Sequence, residues 1–175
     1  MKQYNYIAQF LNWWGKQKLV YFVTIGFVLY QIIANIAYSL LSLFIASIGA
    51  DSQALTGKIF GGVFSYIMNF IMLCIASPFV ETLFFQNVLI RLIRRYLSKK
   101  IVWQVLLSGL CFGLAHFLNP AYILLGFVVG NFFSYCFILY EKHTDTNRAT
   151  LAVGLLHALI NCIPFFKKLY IGILS

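Results

Sequence analysis

The hydrophobic residues of this chain fall into five long runs that short polar stretches separate. The runs cover residues 19–50, 59–90, 101–118, 121–140 and 149–166. An α-helix needs about 20 apolar residues to cross a bilayer, and the runs approach or exceed that length. The pattern therefore predicts an all-α membrane protein: a polytopic bundle of about five to six transmembrane helices that forms a single transmembrane domain over residues 1–175.

The polar stretches and one proline divide these runs. Residues 51–58, 91–100 and 141–148 have the composition of turns between helices. Pro78 lies within the second run, where it removes a backbone donor and clashes with the preceding turn. We therefore expect a kink or break there, which would give pieces at 59–77 and about 78–97.

The N-terminal stretch YNYIAQFLNWWGKQK is aromatic and partly amphipathic. These features are typical of a helix that lies in the membrane interface, and they differ from the pattern of a cleavable signal peptide. Tryptophans favour the headgroup level of a bilayer. We therefore predict an interfacial N-terminal helix, with Trp13 and Trp14 at the headgroups.

Composition and charge agree with a membrane location. The chain is 62% hydrophobic and 10% charged, with a mean hydropathy of +0.86. Its net charge of +9 comes from basic residues at the ends of the apolar runs, which argues against a nucleic-acid-binding face. With the N-terminus in the cytoplasm, ten of the 13 basic residues lie inside. This predicts a multi-pass protein of the cell membrane, with the lipid bilayer as its surroundings and no nucleic-acid partner.

Small residues and cysteines add two expectations about packing. Gly109 and Gly113, and likewise Gly126 and Gly130, are spaced for close contact between consecutive helices. The four cysteines lie in apolar runs without a C-x-x-C spacing, so we expect free buried thiols in place of a zinc clamp or disulfides.

Three ionisable residues lie within the apolar runs: Glu81, His116 and His157. Such residues are expensive in a membrane, so they are candidates for function, with a structural polar cluster as the alternative. Glu81 and His116 are each 17 residues from the turn at 98–99, which places both about 25 Å above it. His157 and Asn161 share one helix face at a compatible height. We therefore expect these side chains to meet.

Three motifs carry a family resemblance: ETLFFQ at residues 81–86, FGLAH at 112–116 and HALIN at 157–161. In order and spacing they resemble the CPBP intramembrane proteases, the CAAX-processing and bacteriocin-processing (Abi) family, and small bacterial members in particular. The family-like core is about residues 59–166. The resemblance implies an intramembrane endopeptidase that cleaves a membrane-bound peptide or a lipid-modified protein.

The resemblance also implies roles for individual residues. Glu81 and His116 would activate a water molecule, and His157 and Asn161 would stabilise the oxyanion. The residue types support this chemistry without the resemblance. A carboxylate and an imidazole can activate one water molecule, and a histidine and an amide can donate hydrogen bonds to a developing negative charge. The supporting residues would be Thr82, Phe85, Gln86, Phe112 and Asn119; Phe112 would shield the His116 ring, and Asn119 with Pro120 would close its helix.

The chain departs from the family pattern at two of these supporting positions. The family usually has a second glutamate where this chain has Thr82, and an arginine where it has Gln86. The two positions are four residues apart and both are neutral here, so we expect a threonine–glutamine contact in place of an ion pair. These departures motivate an alternative function, a catalytically inactive relative that acts as a membrane scaffold, an immunity protein or a subunit that binds another membrane protein.

Other catalytic mechanisms and functions fit the sequence less well. Glu81, His116 and His157 could form a zinc site with an open position, but H-E-x-x-H is absent and Asn161 suits an oxyanion better, so we favour a mechanism without a cofactor. The chain has neither a pair of intramembrane aspartates nor a G-x-S-x-G stretch. An ion or proton pathway is a third alternative, which the single embedded acid and the lack of inverted repeats disfavour.

Overall fold

A computed structural model describes residues 5–47, 63–117 and 120–174 of the chain. Every regular element within these residues is helical, and four helices are long and apolar enough to cross a membrane. This confirms the prediction of an all-α membrane bundle. The helices are α1 (Tyr6–Gly15), α2 (Leu19–Ser47), α3 (residues 63–96), α4 (Ile101–Leu114), α5 (Pro120–Glu141) and α6 (Thr146–Leu174). The predicted loop at 51–58 and Asn119 lie outside the described residues.

Helix α3 continues through Pro78, so the predicted division into two pieces is wrong. Two π-helical segments, Ile71–Ala76 and Thr82–Leu89, alternate with α-helical ones along it. The Ser77 amide, at the end of the first π segment, bonds to the carbonyl of Met72, five residues back. The wider π turn therefore ends just before the proline, which is the second residue of the next α-helical segment, Ser77–Glu81. A change in hydrogen-bond register replaces the expected break.

Helix α4 is shorter than its apolar run. It ends at Leu114, before the predicted boundary at residue 118, because the His116 amide bonds to the Gly113 carbonyl, only three residues back. Pro120 then begins α5. His116 consequently lies in a turn just beyond the end of α4.

Glycines bring α4 and α5 into backbone contact, as their spacing predicted. A methyl group on Gly126 would lie 3.1 Å from the Gly113 Cα, and one on Gly130 would lie 3.0 Å from the Gly109 Cα. The two small-residue patterns therefore face each other in an antiparallel crossing. A methyl group on Gly113 would approach the Ile123 carbonyl oxygen to 2.6 Å, which leaves no room for a side chain.

The N-terminal helix packs on the bundle through one of its two tryptophans. Trp14 is 1% exposed, its Nε1–H donates to the Phe22 carbonyl at 3.0 Å, and its ring stacks on Phe22. Trp13 is 51% exposed. Trp14 therefore contributes to the core, whereas Trp13 stays exposed, and the headgroup position of both stays a prediction.

A polar network joins four helices at the end of the bundle that carries residues 91–100. An Arg94 Nη donates to Glu141 Oε2 at 2.7 Å, and the Thr146 hydroxyl donates to Glu141 Oε1 at 2.9 Å. Gln104 accepts from Arg94 Nε and donates to the carbonyls of Ser98 and Lys99. Because partners within the protein satisfy these groups, the network fastens the ends of α3, α4, α5 and α6. The prediction that this end is cytoplasmic stays a prediction.

The four cysteines are free, as expected. Cys74 and Cys136 are buried and Cys162 is half-buried, whereas Cys111 is exposed. The prediction that all four thiols are buried is therefore wrong, since Cys111 lies on the outer face of α4.

Candidate active site

A cavity of about 540 Å³ lies within the bundle and contains the four motif residues Glu81, His116, His157 and Asn161 in its wall. Its volume falls in the range of about 300 to 1,000 Å³ that is common for ligand sites. Helices α2, α3, α5 and α6, together with α4 and the turn after it, all contribute to the lining. Glu81 and His157, 76 positions apart in the sequence, thus line one cavity, as their heights predicted.

Glu81 lies at the junction of an α-helical and a π-helical segment of α3. Its Oε1 accepts a short hydrogen bond from the hydroxyl of Ser77, one turn earlier. Its Oε2 lies 3.7 Å from Nε2 of His157, and the Glu81 side chain is 25% exposed. The carboxylate is therefore held on one oxygen, while the other faces an imidazole.

His157 is 4% exposed and is enclosed by aromatic rings. Its ring centroid lies 4.5 Å from that of Phe133 and 5.8 Å from that of Phe112. Its Nδ1 has no hydrogen-bond partner among the described residues. The imidazole is thus fixed by packing, with Nε2 directed towards Glu81.

His116 is held in the turn after α4. Its Nδ1 lies 2.8 Å from the Phe112 carbonyl oxygen, and the two ring centroids are 4.9 Å apart. A carbonyl only accepts, so this contact requires a proton on Nδ1 and leaves Nε2 as the acceptor of the neutral ring. The expected shielding by Phe112 is present. The imidazole at ion-pair distance from Glu81, however, is His157, whereas the sequence paired Glu81 with His116.

Asn161 follows His157 by one turn of α6. Its Nδ2 donates to the Leu73 carbonyl at 3.1 Å, which ties α6 to the first π segment of α3. An amide nitrogen carries two protons, so one donor remains after this bond. Asn161 can therefore position two helices and still donate into the cavity.

The two departures from the family pattern lie in the protein interior. Thr82 and Gln86 are both completely buried, and neither side chain has a hydrogen-bond partner within the described part of the chain. The expected threonine–glutamine contact is therefore not a hydrogen bond. Neither residue belongs to the cavity lining.

Phe85, a further supporting residue, acts through its backbone and its ring. Its carbonyl accepts from the Ser108 hydroxyl at 2.9 Å, and its ring meets Phe112 edge-on at 5.4 Å. It therefore supports the aromatic residue that contacts both imidazoles. Asn119, the last of the supporting residues, is not described.

A metal was the alternative for these residues. Within the described ranges, no group of three histidine, cysteine, aspartate or glutamate side chains is arranged to hold an ion. Nδ1 of His116 contacts the Phe112 carbonyl, so Nε2 is the nitrogen of that ring which is left to accept a proton or a ligand. A mechanism without a cofactor stays a prediction.

Several residues of the site were not predicted from the sequence. Ser77 bonds the carboxylate, Phe133 packs on His157, and one face of α2 lines the cavity. Ser77 could have been found from its position four residues before Glu81, and α2 from the amides that interrupt its apolar run at Gln31 and Asn35. Phe133 has no such signal, because aromatic residues are frequent throughout the chain.

Comparison with known proteins agrees with the motifs. Residues 62–163 match the family described as Type II CAAX prenyl endopeptidase Rce1-like. No curated protein and no solved structure matches the chain. The family match covers more than half of the sequence and contains Glu81, His116, His157 and Asn161. The chain belongs to the Rce1-like family of type II CAAX prenyl endopeptidases.

Proposed function

We propose that this protein is an intramembrane endopeptidase that hydrolyses a membrane-associated peptide or lipid-modified protein with a water molecule activated by Glu81. One observation carries the proposal: the Glu81 carboxylate and the His157 imidazole lie 3.7 Å apart in a cavity that also contains His116 and Asn161. Such a carboxylate can accept a proton from water, and the neighbouring donors can stabilise negative charge on a carbonyl oxygen.

The chemistry divides among the four residues. The water is held between Glu81 and Nε2 of His116, the ring nitrogen that the Phe112 carbonyl leaves as an acceptor. Glu81 accepts one proton as the water oxygen attacks the scissile carbonyl carbon. The resulting oxyanion accepts hydrogen bonds from His157 and from the second amide proton of Asn161. Glu81 then returns the proton to the departing amine, and the C–N bond breaks.

The position of the site selects its substrates. The cavity lies inside a bundle of membrane-spanning helices, so a substrate has to reach it from the bilayer or its surface. The matched family is described as type II CAAX prenyl endopeptidase, a description that points to a lipid-modified substrate. A prenylated C-terminal peptide is therefore the first substrate to test.

The departures in the first motif support a second candidate, a catalytically inactive relative that binds a membrane partner. Thr82 and Gln86 replace the usual glutamate and arginine, and both are buried without hydrogen bonds in the described structure. This candidate predicts that biological activity and partner binding survive replacement of Glu81.

Cleavage of a prenylated CAAX peptide, followed by mass spectrometry, distinguishes the two candidates. Purified wild type should release the C-terminal peptide, and Glu81→Gln should not. Asp145→Asn is the matched control, because it makes the same carboxylate-to-amide change where the side chain accepts from the Arg148 amide, a role asparagine also fills. Equal cleavage by wild type and Glu81→Gln would refute the proposed mechanism.

A further inference from the structure

Helix α2 supplies a continuous wall of the cavity, although it lies outside the residues that match the family. Its contributing residues follow the spacing of one helix face: Tyr30, Gln31, Ala34, Asn35 and Tyr38. This wall therefore lies outside the matched residues.

The wall presents the two side-chain amides of a mostly apolar helix of 29 residues. Asn35 Nδ2 donates to the Gln31 carbonyl at 2.6 Å, which fixes the amide and leaves its oxygen as an acceptor. The Gln31 side chain makes no hydrogen bond to another residue that the structure describes, and it lines the cavity. Polar groups in a membrane helix are costly without partners, so these two are suited to a partner that arrives with the substrate.

Packed rings connect the wall to the candidate catalytic residues. The Tyr30 ring stacks on Phe133 with centroids 6.5 Å apart, and Phe133 in turn packs on His157 at 4.5 Å. The position of α2 is thereby fixed relative to the imidazole that faces Glu81. A segment held against α2 would be held at a defined distance from the reacting groups.

A peptide that enters a protease site has to be extended, and its backbone then loses its helical hydrogen bonds. In a membrane interior each unpaired backbone group costs several kcal/mol, so the site has to provide replacements. Glutamine offers both donors and an acceptor, and Asn35 offers its remaining acceptor. These are the groups that a peptide backbone needs.

We propose that Gln31 and Asn35 bind the main chain of the extended substrate segment in the cavity that Glu81 and His157 also line. The inference rests on the proposed endopeptidase function and names the groups that position its substrate. Because the recognised groups belong to the backbone, the wall accepts varied side chains and contributes to binding more than to the chemical step.

Steady-state cleavage of a prenylated CAAX peptide tests this proposal with Gln31→Met and Asn35→Leu. Each substitution should raise KM roughly tenfold, which corresponds to the loss of one to two hydrogen bonds. The kcat of each variant should stay within about twofold of the wild-type value. Thr24→Val is the control on the same helix, because Thr24 is exposed, bonds to its own helix at the Val20 carbonyl and does not line the cavity.

A second probe separates backbone recognition from packing. Methylation of one backbone nitrogen of the peptide, beside the scissile bond, should weaken its binding to wild type. The same methylation should weaken binding to Gln31→Met much less, because that variant already lacks the hydrogen bond to the peptide backbone. A purely structural role for Gln31 would give independent, additive effects. Additive effects, or an unchanged KM in both variants while wild type cleaves the peptide, would overturn the inference alone. No cleavage by wild type would overturn the proposed prenyl-peptide endopeptidase and the inference with it.

Discussion

His157 Nε2 lies 3.7 Å from Glu81 Oε2, and this approach joins the last helix of the bundle to the middle of α3. Close packing makes it possible, since a methyl group on Gly154 would lie 2.7 Å from the Phe79 ring on α3. Aromatic rings enclose His157 on the other side. Packing therefore holds His157 in place, and the hydrogen bond from Ser77 holds the Glu81 carboxylate.

Ser77→Ala should lower kcat for peptide cleavage roughly tenfold or more, because a hydrogen bond to a charged group contributes about 1.5 to 3 kcal/mol. The Ser77 hydroxyl donates to Glu81 Oε1, and its loss leaves the carboxylate free to rotate away from His157. Ser42→Ala is the control, since Ser42 is exposed, bonds a carbonyl of its own helix at Ser39 and does not line the cavity. A Ser77→Ala enzyme with wild-type kcat would contradict this role.

Gly113→Ala should destabilise the bundle by about 1 to 3 kcal/mol, the usual cost of overpacking. The new methyl group would meet the Ile123 carbonyl oxygen at 2.6 Å and the Phe127 amide nitrogen at 2.8 Å, and backbone atoms cannot move aside. Gly26→Ala should cost less, because its nearest neighbour at 3.0 Å is the end of the Leu156 side chain. Unfolding temperatures measured in one detergent test the difference. Equal losses would show that the glycine contact between α4 and α5 is not tight.

Two buried glutamines should respond oppositely to replacement by leucine. Gln86 makes no hydrogen bond among the described residues, so Gln86→Leu should raise the free energy of unfolding by about 1 kcal/mol. Gln104 bonds Arg94, Ser98 and Lys99, so Gln104→Leu should lower it by about 1 to 3 kcal/mol. Denaturation of both variants in the same micelles measures the contrast. A large loss in Gln86→Leu would mean that its amide is satisfied in solution.

Docking of α1 should weaken in mild acid. His143 contacts Gly15 of α1, and burial, with the ammonium groups of Lys142 and Lys16, holds the pKa of this imidazole below its ordinary value of 6.5. The folded state therefore favours the neutral ring, and its stabilising contribution is complete above pH 6.5 and is lost as the pH falls below it. Hydrogen exchange of residues 6–15 should increase between pH 7.5 and pH 5 after correction for the intrinsic rate. His143→Gln should remove this pH dependence, and its persistence in that variant would assign it to another group.

Much of the architecture follows from local features of the sequence. The apolar runs locate the helices, and the glycine spacings of α4 and α5 predict their contact because a missing side chain acts wherever two helices cross. Heights above the basic turn place Glu81 and His116 in one layer, since helical rise depends only on residue number.

Other features depend on tertiary context and could not be predicted in this way. The early end of α4 and the π segments of α3 reflect competition between hydrogen bonds that differ by one residue in register. Trp13 and Trp14 are adjacent and equally apolar, so only packing on Phe22 decides which one is buried. His157, and not His116, is the imidazole found beside Glu81. Which histidine lies there depends on the rotation of each helix about its axis and on the side-chain rotamers, and residue spacing in the sequence determines neither.

A double-mutant cycle between Glu81→Gln and His157→Ala tests the central claim most directly, with kcat/KM for cleavage of a prenylated CAAX peptide as the readout. Each single substitution should reduce cleavage about 10²- to 10⁴-fold, as expected for the loss of a general base or of an oxyanion donor. The two groups act on one reacting water and carbonyl. The kcat/KM of the double variant should therefore lie within about threefold of that of the less active single variant. Losses that multiply in the double variant, or wild-type cleavage by either single variant, would contradict the account.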